Sequence, residues 1–224
     1  MSTATTTTRI AAKRKGLSPA TKRWIWIGLA IVLLLAMFFS TKIVPAGSGA
    51  AQGPAAFNAA DYGKKQFPKQ QAFIDKNAVD AATLAAAAEK DPTAAEQKYG
   101  KTSDGATYVI PVKFTGVVGK IPPDGYTPIT VPGLPPGIKV GVQLGPAING
   151  TDLRDVTGDI TLNNFQNQIQ LQDAGAAIND QLKAELNSVN AQSLTGKTIQ
   201  VYGAFTLINP QQWNVTPSRI NVEK

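Results

Sequence analysis

The segment WIWIGLAIVLLLAMFF, Trp24 to Phe39, constrains this chain more than any other feature, because sixteen consecutive uncharged, almost wholly apolar residues have few places to go. Ser40 and Thr41 extend the run to eighteen residues before Lys42. At about 1.5 Å per residue that is roughly 27 Å of helix, close to the hydrocarbon thickness of a bilayer. A buried core helix is the alternative, but a run that is apolar all round with one cationic flank favours a membrane span. Trp24 and Trp26 sit at one end, where indoles favour the membrane interface, and Arg9, Lys13, Arg14, Lys15, Lys22 and Arg23 precede them. The cationic flank is therefore expected to stay in the cytoplasm and the carboxyl-terminal part to lie outside. The predicted partner of Trp24 to Thr41 is the lipid bilayer. A cleaved secretory leader, with small residues at Val44-Pro45-Ala46, is the rival reading; the long basic flank and long apolar core favour an uncleaved anchor.

The same asymmetry disposes of nucleic acid as a partner. The net charge of +7 comes entirely from the amino terminus, where seven basic residues precede Pro45 and no acidic residue precedes Asp61. From residue 45 onward fifteen basic residues face fifteen acidic ones, and from 101 onward nine face nine. A phosphate-binding domain normally carries a basic excess.

Composition also narrows the chemistry. The chain has neither Cys nor His. Thiolate nucleophiles, Cys-ligated metals, imidazole bases and the Ser-His-Asp arrangement are excluded, so no metal and no cofactor is predicted. Enzymatic work would fall to carboxylates, as in glycosidases, with Asp152 paired to Asp155 or Asp159 as the candidate pair.

The chain divides into five predicted segments. Residues 1–23 read as a disordered basic cytoplasmic tail, 24–44 as a transmembrane signal-anchor, 45–56 (PAGSGAAQGPAA) as a flexible linker, 57–100 as helical, and 101–224 as a β domain. In the helical part, Phe57, Tyr62, Phe67 and Phe73 recur at spacings of five to six with Pro68 interrupting. That pattern predicts short helices packed by their aromatic faces onto the main domain; an aromatic platform for sugars is the functional alternative. Asp80 is placed to cap AATLAAAAEK, and Asp91-Pro92 to open a second helix ending at Tyr99-Gly100, with Gly100 at a position that tolerates positive φ. The result is an Ala-rich helical hairpin.

From Thr107 the pattern changes to strands: TYVIPVKFTGVVGKI, with Gly116 and Gly119 where a strand could bend, then YTPITV and GIKVGVQLG. A helix follows from about Asp173 to Asn190, with Ile178, Leu182, Leu186 and Val189 on one face. KTIQVYGAFTLI and WNVTPSRINV supply two more strands. Three strands, a helix and two strands, with a kinked first strand, is the order of an OB-like five-stranded β-barrel with one amphipathic helix, giving an α+β fold class overall. An open α+β sheet is the alternative.

Between the third strand and the helix lies QLGPAINGTDLRDVTGDITLNNFQNQIQ, residues 143–170. Asn149-Gly150 is a turn signal. Arg154, Asp155, Asn167 and Gln168 are the candidate ligand-binding residues, because a guanidinium, a carboxylate and amides can meet a polar ligand. The alternative is structural: Arg154 pairs with a carboxylate, Asp155 or Asp159 closes the loop, and the amides satisfy irregular backbone, while Phe165 and Ile169 anchor the segment in the core.

GPAINGTDLRD followed by DITLNNFQNQIQLQDAGAAINDQL resembles a bacterial family of unknown function, the predicted periplasmic lipoproteins. TKIVP, NAVDAATL and AAEQKYG resemble the same family, so the likeness spans residues 41–224. It implies an extracytoplasmic, non-enzymatic accessory or binding role, and an association with sugar ABC transporter components, beside which members are often encoded. The family brings no catalytic residues. The lipoprotein label does not fit a chain without Cys, which must rely on its helix. The remaining alternatives are a carbohydrate-active enzyme using the Asp pair and a structural cell-envelope protein.

Overall fold

The computed structural model describes residues 18–40 and 57–223. The expected tail up to residue 17, the end of the anchor beyond Ser40 and the linker 45–56 lie outside the described residues. The chain divides into two units at Ala56 and Phe57.

In the first unit, helix α1 runs from Pro19 to Ser40. Ser18 caps it, its hydroxyl accepting from the Thr21 N–H at 3.1 Å, and Pro19 stands at the first helical position, where its missing N–H costs nothing. The helix thus starts a turn before the apolar run and carries Lys22 and Arg23. Its 22 residues give about 33 Å of length, enough to cross a membrane by length and composition. None of its residues is buried.

The second unit opens with α2 (Ala59–Asn77), capped by Asn58, whose side chain accepts from the Asp61 N–H. Here the expectation of short helices broken at Pro68 is corrected: one 19-residue helix runs through it. Proline removes the bond its N–H would make to the Lys64 carbonyl. The helix survives because Gly63, Phe67, Gln70 and Ile74, spaced at four, three and four, bury one continuous face, chiefly against the later helix α6. Pro68 sits on the exposed side. Helices α2 and α6 touch backbone to backbone at Gly63, where a Cβ would lie 2.5 Å from the Ala177 carbonyl oxygen.

A two-residue strand β1 (Val79–Asp80) precedes the hairpin of α3 (Ala81–Lys90) and α4 (Pro92–Tyr99). Asp80 and Asp91 cap these helices as read from the sequence, accepting from the Ala82 and Ala94 N–H groups. Gly100 differs from expectation: its φ is −89°, and glycine is needed there because a Cβ would meet the Glu96 carbonyl oxygen at 2.7 Å.

Strands β2 (Val109–Val118), β3 (Thr127–Thr130), β4 (Lys139–Val142), β5 (Thr198–Thr206) and β6 (Gln212–Val222) form the barrel. The order β2-β3-β4-β6-β5 closes because β2 also pairs with β5, from Val109↔Thr206 to Val117↔Thr198. All neighbours are antiparallel except β4 and β6, so the long connection holding α6 must cross between β4 and β5. The bend read at Gly116 is a close approach: a Cβ would lie 2.6 Å from Ile129 Cγ2. Inside, Phe205 stacks on Trp213 at 5.2 Å, and the indole N–H donates to the Pro210 carbonyl.

Between β4 and β5 come the four-residue helix α5 (Asp152–Asp155) and α6 (Gln168–Ser188), which starts five residues earlier than the sequence suggested. Ile178, Leu182 and Leu186 are buried on its inner face, with Val189 packed against the core just beyond its end.

Glycine to alanine in a helix interior ordinarily stabilises by about 1 kcal/mol. Gly63→Ala reverses that sign, because the methyl overpacks the α2–α6 contact at a cost of about 1–3 kcal/mol; chemical denaturation of variant and parent checks it.

Candidate functional site

The connection from β4 to α6 is held at three points, each by a buried or half-buried polar side chain. Gln143 follows β4 and is 4% exposed. Its Oε1 accepts from the Asn149 N–H at 2.9 Å, and its Nε2 donates to the Asn149 carbonyl at 2.9 Å and the Tyr126 hydroxyl at 2.7 Å. One amide thereby closes the loop 144–149 as a strand neighbour would. Burial raises the Tyr126 phenol above its ordinary value, reinforced by the nearby Asp152 charge. The turn expected at Asn149-Gly150 is present, with Gly150 at φ +98° and its carbonyl accepting from Asn179 Nδ2 of α6 at 3.0 Å.

Asp152 is the second point. Its Oδ1 accepts from the Thr206 hydroxyl of β5 at 3.1 Å and its Oδ2 from the Thr216 hydroxyl of β6 at 3.0 Å. Burial raises its carboxyl from 3.8 to about 6, the two threonine hydroxyls oppose that rise, and the Asp155 charge adds to it. Both threonines are partners that sequence reading missed. They stand 54 and 64 residues away, and no local pattern announces them.

The third point is Arg154 with Asp155. Nε donates to Oδ1 at 2.7 Å and Nη2 to Oδ2 at 2.9 Å, a bidentate pair with each side chain 15% exposed. Two of the four candidate ligand-binding residues are therefore brought together and hold each other. The other two are elsewhere. Asn167 caps α6, its Oδ1 accepting from the Gln170 N–H at 3.0 Å, and Gln168 is exposed in the first turn. The remaining amides follow the structural reading: Asn164 Oδ1 accepts from the Thr161 N–H, and Gln170 Oε1 from the Gln166 N–H. Phe165 packs against the core as expected, but Ile169 does not. It is 68% exposed, because α6 turns its inward face two and five residues later, at Leu171 and Ala174.

A cleft of about 390 Å³ lies between the turn 148–151 and α6, with Arg154, Gln172, Asn179, Asp180 and Lys183 on its walls. The Arg154 side chain lies against α6 at Gly175, where a Cβ would be in ordinary contact with it, 3.5 Å from Arg154 Cδ. Arg154 Nη1 is left for the cleft, whereas Lys183 pairs at the surface with Asp180 at 2.9 Å. A second cleft of about 420 Å³, bounded by Ala85, Pro135, Ile138 and Pro210, is mainly apolar. Convergent polar groups make the first the candidate ligand site. Among the described residues no group of three or more Asp or Glu side chains is placed to hold a metal.

Residues 30–221, which contain every element of this connection, match the model of a family described as "Predicted periplasmic lipoprotein (DUF2291)". The chain belongs to this family. As a periplasmic lipoprotein family member it departs from the label in one respect, having no Cys to carry a lipid, and possesses an apolar amino-terminal helix. Among solved structures it is similar to an OB-fold protein from Thermotoga maritima, with 19% identity over 75% of this chain and 99% of that one, and a TM-score of 0.59. That likeness shows the OB fold. No curated protein matches.

Because burial raises Asp152, its protonated form favours the folded state. The contribution is complete below about pH 4 and is lost as pH rises through about 6. Asp152→Asn removes that dependence. Between pH 3 and pH 7 its stability relative to the parent should rise by about 3 kcal/mol, read from denaturation midpoints across that range; a difference that stays flat with pH contradicts the assignment.

Proposed function

We propose that the chain is an extracytoplasmic binding protein of the cytoplasmic membrane, anchored by α1 as a single span, and that its barrel binds without catalysing. The observation that carries this reading is the occupation of the polar connection's acids. Asp152 is held by Thr206 and Thr216, Asp155 by Arg154, and Asp159 is exposed on its own. A general acid and base must reach a shared substrate from two sides, whereas Asp152 and Asp155 face partners inside the fold and leave Asp159 without a second acid beside it. What the cleft offers instead is Arg154 Nη1, the amides of Gln172 and Asn179, and turn backbone, a donor set suited to a small hydroxyl-rich or weakly anionic ligand.

In this reading the protein serves as an accessory to sugar ABC transport, meeting a permease or solute-binding subunit at the membrane surface. The neutral charge of the barrel unit and the cationic flank before α1 support the orientation.

Alkaline phosphatase, active only outside the cytoplasm, fused after Lys224 should be active; an inactive fusion that is present at normal level reverses the topology. Cross-linking of the intact protein in its native membrane should recover a transporter permease or binding subunit, and consistent recovery of the chain alone counts against the accessory role.

A further inference from the structure

Asn149 is the one asparagine of the chain that glycine follows. An Asn-Gly pair carries its own electrophile and nucleophile: the side-chain amide carbon, and the backbone nitrogen of the next residue, which can close a five-membered ring on that carbon where no Cβ stands in the way. The asparagines of the neighbouring segment are engaged elsewhere. Asn164 and Asn167 hold the Thr161 and Gln170 N–H groups, Asn179 holds the Gly150 carbonyl, and each is followed by a residue that bears a side chain.

At residues 149 and 150 both reacting groups are free. The bonds that fix this turn run to Gln143 from the Asn149 backbone N–H and carbonyl, not from its side chain. The peptide between the two residues is trans, so one that turns its carbonyl toward the buried Gln143 turns its N–H the opposite way. Both residues are exposed, and among the described residues neither the Asn149 side chain nor the Gly150 N–H has a hydrogen-bond partner. Gly150 stands at φ +98°, a region that favours glycine, so the conformation of the turn selects the residue that leaves ring closure unhindered. Asn149 also lines the polar cleft, together with Arg154, Asn179 and Lys183.

We propose that Asn149 is a site of spontaneous covalent modification, which places a negative charge on the wall of the polar cleft. The Gly150 nitrogen gives up its proton to a base in solvent and attacks Asn149 Cγ. A C–N bond forms to Gly150, the bond from Cγ to the side-chain nitrogen breaks, and ammonia leaves with a proton taken from water. Water then opens the cyclic imide at one of its two carbonyls, giving aspartate or isoaspartate. One water is consumed and one ammonia released, with no change of oxidation state. Aspartate keeps the backbone that Gln143 grips, whereas isoaspartate inserts one extra carbon into it. Neither outcome depends on what the cleft binds.

The test ages the full chain, in detergent and mildly alkaline buffer, with and without urea, and digests it with trypsin beside an unaged sample. The peptide 140–154, released by cleavage after Lys139 and Arg154, holds Asn149 as its sole asparagine. The expected result is the mass gain of NH2 replaced by OH, located at residue 149 by fragmentation. It should accumulate in the folded protein at a rate within about tenfold of that in urea, the factor set by fixing about one residue's backbone. Asn149→Gln must close a larger ring and leaves the backbone bonds to Gln143 in place, so it should abolish the gain. No gain over the unaged sample, a folded rate below that window, a gain located at Gln143, or a gain undiminished in Asn149→Gln each overturns the proposal.

Discussion

Closure of the sheet is the constraint from which the rest of the barrel unit follows. Strand β2 is paired on both sides, to β5 over nine residue pairs and to β3 at Val117 and Val118, so neither β2 nor β5 is left as an edge. Closing so few strands draws backbones together. Gly116, Gly141 and Gly203 stand where they do because a Cβ at each would come within 2.6–2.8 Å of a neighbouring strand's atoms or of Tyr126. The parallel pairing of β4 with β6 then requires a long crossing before β5, and that crossing is where the polar loop and α6 reside.

Those parts of the fold that rest on neighbours in sequence were legible beforehand. Asp80 and Asp91 read as caps because a cap and its N–H are two or three residues apart. The strand order was legible for a similar reason, since Gly and Pro punctuate strands whose periodicity is local. What sequence could not supply was distance. Pro68 forecasts a break unless one knows that α6 lies waiting to bury the opposite face, and Gly63 is an ordinary glycine until Ala177 is set against it. Gly100 was correctly singled out for the wrong property, crowding rather than positive φ.

The candidate site divides in the same way. The structural alternative foresaw Arg154 on a carboxylate without saying which; the carboxylate is that of its neighbour Asp155, which had been expected to close the loop through backbone hydrogen bonds instead. Asp152 was foreseen only as one member of an acidic pair, because its true partners arrive from two strands made far later in the chain. A raised carboxyl is often taken as the mark of a functional acid. Here the two threonine hydroxyls meet both oxygens from inside the fold, and Asp155, the acid that could have shared a proton with it, is engaged by a guanidinium. The shift marks a latch joining α5 to the end of β5 and the middle of β6, which fixes the position of Arg154 on the wall of the cleft.

The charge distribution gives that latch a setting. All the excess positive charge precedes the barrel unit, and the barrel unit itself is neutral. A neutral body close to an anionic leaflet is neither driven off nor drawn in by its net charge. Within the barrel unit, the turn from Ile160 to Gln172 packs Phe165 on Phe57 and leads directly into α6, so the packing that seats the turn also seats the helix that walls the polar cleft.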